Sequence, residues 1–125
     1  MGVFLIKETA TGVKIDLKAA NGQVIATSEV YITNDACRNG IASVIKNAPV
    51  AYLEDQTVEN FARKKHPKFE LYQDKAEKFR FRLKAANGKV IAISEGYTVK
   101  ASCLGGVESV RKNVIDAAIE VLCSR

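Results

Sequence analysis

KAANGQVIATSEVY at Lys18–Tyr31 returns 66 residues later as KAANGKVIAISEGY at Lys84–Tyr97, identical at eleven of fourteen positions. The chain is one small unit written twice. Outside this window the copies agree mainly in pattern: Cys37 matches Cys103, Gly40 matches Gly106, and Ser43-Val44 match Ser109-Val110.

Within each copy an Asn-Gly pair separates two runs of strand character. In the second copy Phe79-Arg80-Phe81-Arg82-Leu83-Lys84 alternates strictly, Asn87-Gly88 follows, and Val90 to Ile93 is apolar. In the first, Val13 to Leu17 and Val24 to Thr27 flank Asn21-Gly22. Asn-Gly between such runs predicts a hairpin with a type I′ turn, which needs positive φ at both central residues. A further alternating run, Phe69 to Tyr72, precedes the second hairpin, so each copy is expected to open with three antiparallel strands.

Helices come next. Cys37, Ile41, Val44 and Ala48 lie at offsets of 0, 4, 7 and 11, as do Cys103, Val107, Val110 and Val114. That spacing places each set on one helical face. Thr33 is a suitable N-cap, whereas Val99 stands at that position in the second copy. Gly40 and Gly106 cost helix propensity, about 1 kcal/mol against alanine, which predicts a close approach to the sheet. Apolar residues resume at Val50 to Leu53 and at Ala118 to Leu122, read as a fourth strand in each copy.

The chain therefore divides into a first repeat at 1–55, a basic linker at 56–68 and a second repeat at 69–125. Val58, Phe61 and Ala62 in the linker have the spacing of a short helical turn. A unit of about 60 residues buries only roughly 60% of its unfolded surface and is marginal alone. The two copies are expected to share one core. The fold class is α+β: tandem β-β-β-α-β repeats forming one antiparallel sheet with two helices on one face.

With 125 residues, 47% of them hydrophobic and 26% charged, the composition is that of a globular protein. No apolar run approaches the ~20 residues of a membrane helix. Met1 to Ile6 is too short for a secretory leader, so a cytoplasmic protein is expected. The net charge of +5 is uneven: residues 1–55 carry net −1, the linker +3 and the second repeat +3. Three cysteines without C-x-x-C spacing make a disulfide framework or zinc site improbable.

No catalytic constellation emerges. Ser28-Glu29 and Ser94-Glu95, followed by Tyr31 and Tyr97, lack a nearby histidine to complete a relay, so anchoring the strand-to-helix connection is the expected role. Cys37 and Cys103 fall on the apolar helical stripe as packing residues, and Cys123 is the candidate for a reactive thiol. His66, the sole histidine, lies in the basic stretch Arg63-Lys64-Lys65-His66-Pro67-Lys68. Gly105-Gly106 lacks the spacing and lysine of a phosphate loop. The reading is a non-enzymatic protein without cofactor or metal.

The run F-x-F-R-L-K-A-x-N-G-x-V-I-A-x-S-E-x-Y, followed by a helix bearing G-[IV]-x-S-V-x-x-N, is present at Phe79–Tyr97 with Gly106–Asn113, and more loosely at Val13–Tyr31 with Gly40–Asn47. In these features the chain resembles the YegP-like family, small bacterial proteins built on a domain of unknown function. The resemblance implies that the two copies exchange their last strands and that single-copy members assemble as dimers. It implies no activity, cofactor or catalytic residue. At the constant spacing of 66, the first copy departs from the pattern: Val3 stands for Phe69, Phe4 for Glu70 and Asp16 for Arg82.

Face assignment completes the functional expectation. Leu83 opposite Ala92 puts Phe79, Phe81, Leu83, Ala92 and Ser94 on the core face. Arg80, Arg82, Lys84, Ile91 and Ile93 fall on the other, joined by Phe4, Ile6 and Tyr72. This open face, extended by Arg63, Lys64 and Lys65 of the linker, is the expected interaction surface. A protein partner or homodimer, a single-stranded nucleic acid held by phosphate pairing and base stacking, and a solvated face with no partner all fit it. A small-molecule enzyme site between the repeats is a further alternative; no membrane association is expected.

Overall fold

The structure, a computed structural model, describes residues 2–122. Three strands open the chain, β1 (Val3–Glu8), β2 (Val13–Lys18) and β3 (Val24–Thr27), followed by helix α1 (Asn34–Asn47), a 3-10 turn at Ala48–Val50 and β4 (Tyr52–Asp55). The second copy repeats the order with β5 (Lys68–Gln73), β6 (Phe79–Lys84), β7 (Val90–Ile93), α2 (Lys100–Asn113) and β8 (Ala118–Leu122).

All eight strands form one sheet in the order β4-β5-β6-β7-β3-β2-β1-β8. The last strands are exchanged: β4 pairs with β5 of the second copy, and β8 with β1 of the first. Both exchanged pairs are parallel, so the sheet is mixed rather than wholly antiparallel. A strand delivered by a helical crossover, unlike one delivered by a tight turn, is free to lie parallel to its neighbour. At the seam β3 and β7 pair antiparallel around Thr27 and Ile93.

Both helices cover the same face. Helix α1 packs on β2 of its own copy and β7 of the other, and α2 on β5 and β6 of its own and β3 of the other. Each helix thus straddles the seam, and one core joins Phe4, Ile6, Ile41 and Val44 to Phe69, Phe81, Val107 and Val110. Burial of each large apolar side chain contributes about 1.5–3 kcal/mol. Phe69 and Phe81 meet edge to face, with centroids 5.8 Å apart.

Thr33 caps α1 as expected, accepting from the Ala36 amide at 3.1 Å, and Val99 gives α2 no side-chain cap. The hairpin turns differ from the type I′ expectation. Within these two turns the glycines alone, Gly22 and Gly88, have positive φ, at 83° and 84°, and Asn21 and Asn87 do not. Gly22 N–H bonds to Ala19 C=O and Gly88 N–H to Ala85 C=O, so each turn is one residue longer and ends in a left-handed glycine. That geometry builds the bulge seen at Leu17/Lys18 and Leu83/Lys84.

The first strand corrects the constant spacing of 66. Phe4 pairs with Leu17 as Phe69 pairs with Leu83, an offset of 65, because the turn before β6 is one residue longer than that before β2. A one-residue slip moves every side chain of a strand to the opposite face. Phe4 and Ile6 therefore lie in the core at 1% and 2% exposure, not on the open face. It is Leu5, not Phe4, that matches Glu70, and Val3 matches Lys68.

Two smaller expectations also change. Pro49 opens a 3-10 turn at Ala48–Val50, so the fourth strand starts later, at Tyr52. The linker holds no helical turn: after turns at residues 56–60, with Asn60 at φ 55°, residues 61–65 run irregularly.

Candidate functional site

The open face of the second copy is an ion network rather than an array of unpaired cations. Glu54, Lys68 and Glu70 point away from the helices yet are 0%, 5% and 3% exposed. Lys68 Nζ lies 2.8 Å from Glu54 Oε1 and 3.2 Å from Glu70 Oε2. Arg82 Nε donates to Glu70 Oε1 at 2.5 Å, and Lys84 Nζ lies 3.2 Å from Glu70 Oε2. Strand exchange brings Glu54 beside Lys68, so the network joins residues of both copies. The linker closes over it, since the Lys64 amide donates to Glu54 Oε1 at 2.7 Å.

Burial pushes the Glu54 carboxyl up, but hydrogen bonds from Lys68, Gln56 and the Lys64 amide outweigh it and hold the group at about 2. Glu70 is lowered in the same way against its burial, with Arg82 the main donor. Lys68 is raised, because the two carboxylates more than offset its desolvation.

Arg80, Arg82, Lys84, Tyr72 and Ile93 are all on the open face. Arg80 Nε is bound to Asp74 at 2.6 Å, and Arg82 lies over the Tyr72 ring, 4.4 Å from its centroid. Ile93 is 39% exposed. Ile91 is buried at 5%, so it offers no surface to a partner; the adjacent bulge disturbs the simple alternation. Arg63, Lys64 and Lys65 are exposed on the linker. In the first copy Lys7 and Lys14 flank the buried Asp16 at 3.0 and 3.6 Å. At the seam, Tyr72, Arg82 and Ile93 border a groove of about 250 Å3 with Ser28 and Glu29.

The repeated Ser-Glu-x-Tyr segments are splices. Ser28 Oγ accepts from the Ile15 amide at 2.9 Å and donates to Glu29 C=O at 2.7 Å. Ser94 does the same with Phe81 and Glu95 at 2.9 and 2.8 Å. Tyr31 and Tyr97 then fold under the helices against Gly40 and Gly106. The close approach that these glycines permit is chiefly to the tyrosine ring, with Phe81 of the sheet also near Gly106. Cys37 and Cys103 are fully buried, and burial raises both thiols, Cys103 to about 11. Cys123 lies outside the described residues.

A pair of features escaped the sequence reading. Each helix overhangs the Asn-Gly hairpin of the other copy, leaving a groove: α1 and Tyr31 over the β6–β7 turn, about 350 Å3, and α2 and Tyr97 over the β2–β3 turn, about 190 Å3. Their nine lining positions correspond one to one at a spacing of 66, and six hold the same residue. The intense self-identity of the chain was the available signal, but its residues meet only once the copies interlock.

The comparisons with known proteins agree with this architecture. The family described as Domain of unknown function (DUF1508) matches twice, at residues 9–55 and 74–120. The UPF0339 protein YegP of Yersinia pestis is 32% identical over 98% of this chain and 96% of its own. A UPF0339 protein of Treponema denticola is 67% identical over 52 residues, 42% of this chain but 90% of its own, and so has the length of one copy. Two solution structures superpose well: yegP of E. coli, a protein of unknown function (TM-score 0.78, 30% identity, 96% of this chain and 91% of that one), and a UPF0339 protein of Shewanella oneidensis (TM-score 0.79, 31% identity, 97% and 91%). With two matched copies, an exchanged eight-stranded sheet and a full-length relative, the chain belongs to the DUF1508 family in its two-copy form.

Proposed function

We propose that the protein is a non-catalytic binding module that takes a protein partner on the open sheet face, at the seam between its copies. The observation that carries this reading is the groove where Arg82, stacked on Tyr72 and tied to Glu70, stands beside the exposed Ile93. Arginine and tyrosine are the side chains that most often anchor interfaces, and here both are held in place before binding. The surrounding cations already face carboxylates of the same chain, which favours a protein over a polyanion, whose affinity comes from neutralising phosphates. Both repeated serines are occupied by backbone partners and both described thiols are raised by burial, which favours a role without catalysis.

The test is parallel capture from native-host lysate on wild type, Ile93→Glu and Ile32→Glu, the last at a residue 88% exposed and not part of the groove lining. One protein should be retained by wild type and Ile32→Glu, lost with Ile93→Glu, and stable to about 0.5 M salt, where exposed ion pairs are screened. Recovery of nucleic acid that elutes as salt rises, or equal retention by Ile93→Glu, contradicts the reading.

A further inference from the structure

The two grooves beneath the helix overhangs are a matched pair within one molecule, and they differ where a ligand would be discriminated. Two of the residues they share also support the fold: tyrosine on the helical glycine, and asparagine in the turn, where Asn87 Oδ1 accepts the Lys89 amide at 3.0 Å and leaves Nδ2 free of that bond. Of the three positions that differ, Ala36 replaces Ser102, Asn39 replaces Gly105 and Lys89 replaces Gln23. The larger groove thus gains an ammonium and gives up one hydroxyl, while its two amides, Asn39 and Asn87, equal in number those of the smaller, Asn21 and Gln23. It continues along α1 into a second space of about 340 Å3 bordered by Lys46, which has no acidic partner among the described residues. Among the described residues no carboxylate lines either part. Lys89 faces Glu29 at 3.4 Å, but both groups are more than half exposed, so this pair is weak and displaceable. The smaller groove has no charged residue in its lining among the described residues.

We propose that the groove between α1 and the β6–β7 turn binds a small phosphomonoester of mononucleotide or sugar-phosphate size. Lys89 borders the groove itself and supplies the ammonium that meets the phosphate, and Lys46 borders the adjoining space along α1 and adds positive potential there. Asn39, Ser43, the Asn87 Nδ2 and the Tyr31 hydroxyl supply hydrogen bonds for the neutral, hydroxyl-bearing part. The volume fits a ligand of that size, and charge-assisted bonds to phosphate are the strongest available to such a site. The site lies on the helix side and does not depend on the reading of the open sheet face.

Amide chemical shifts of the full-length 15N-labelled protein test it, with adenosine 5′-monophosphate and glucose 6-phosphate as probes and adenosine, glucose and inorganic phosphate as controls. Saturable shifts are expected at Asn39, Ser43, Asn87 and Lys89 with both phosphorylated probes, and weaker or no shifts with each control. The equivalent residues of the smaller groove, Asn21, Gln23 and Ser109, should not move. Lys46→Gln and Lys89→Gln alter exposed side chains, leave the fold intact, and should each weaken binding about tenfold. Absence of saturable shifts with both phosphorylated probes, equal shifts in the two grooves, or undiminished binding by both lysine variants overturns the proposal.

Discussion

The hydroxyl of Tyr31 lies against the α-carbon of Gly40, so closely that a methyl group on Gly40 would meet Tyr31 Oη first and Cζ next, at 2.7 Å. The same relation holds between Tyr97 and Gly106, where Phe81 Cε2 also stands 3.0 Å from the missing methyl. Alanine is the better helix former, so propensity alone would make Gly40→Ala stabilising by about 1 kcal/mol. The contact decides otherwise. Gly40→Ala should destabilise by about 1–3 kcal/mol through overpacking, and Tyr31→Phe, which removes the nearest atom, should recover part of that loss in the double variant. Urea unfolding of the four proteins measures the coupling; strictly additive effects would mean that the ring is not what excludes the methyl.

The Glu54–Lys68 pair predicts a signed pH dependence. Glu54 is held at about 2 against its usual 4.5, so its contribution is complete above pH 4.5 and is lost as pH falls through about 2. Lys68 is raised above its usual 10.5, so its contribution is present below that pH and is lost as pH rises through the folded value. Glu54→Gln should be less stable than wild type at pH 7 and show a shallower loss of Tm between pH 4.5 and 2. Lys68→Met should cost about 3–5 kcal/mol, because it leaves the buried Glu54 without a cation, while Glu70 keeps Arg82 and Lys84. Parallel Tm curves for wild type and Glu54→Gln would contradict the assignment.

The described thiols should be chemically silent in the native state. With Cys37 and Cys103 buried and both raised above the usual thiol range, iodoacetamide at pH 7.5 should leave them unmodified until the protein unfolds. Peptide mapping reads each cysteine separately, and native-state labelling of either would show that the helices open over the core.

The sequence reading succeeded where periodicity is local. Repetition of Lys18–Tyr31 at Lys84–Tyr97 announced the duplication, and the Cys37 and Cys103 stripes announced the helices. It failed on β1, because a single extra turn residue before β6 shifts the correspondence by one and sends Phe4 and Ile6 to the core. Lys68-Phe69-Glu70 alternates like any half-exposed strand, so nothing local distinguishes its charges from solvated ones. Their burial depends on Glu54 and Lys64, which arrive by strand exchange and linker closure. The exchange itself followed from the family resemblance and not from the residues. The grooves were invisible for the same reason: each has one wall from each copy.

Interlocked copies should not stand alone. Either half, cut within residues 56–67 and prepared by itself, should sediment as a dimer with a melting temperature that rises with concentration. A half that melts cooperatively as a monomer at high dilution would show that its own last strand can complete its sheet.

The exchange of last strands is the claim on which the shared core, the buried network and both grooves rest, and interstrand NOEs in the isotope-labelled protein test it most directly. The structure predicts backbone NOEs that place Ile119 beside Phe4 and Leu53 beside Phe69. NOEs that instead place Leu53 beside Phe4 and Ile119 beside Phe69 would show that each copy keeps its own strand, and would contradict the account.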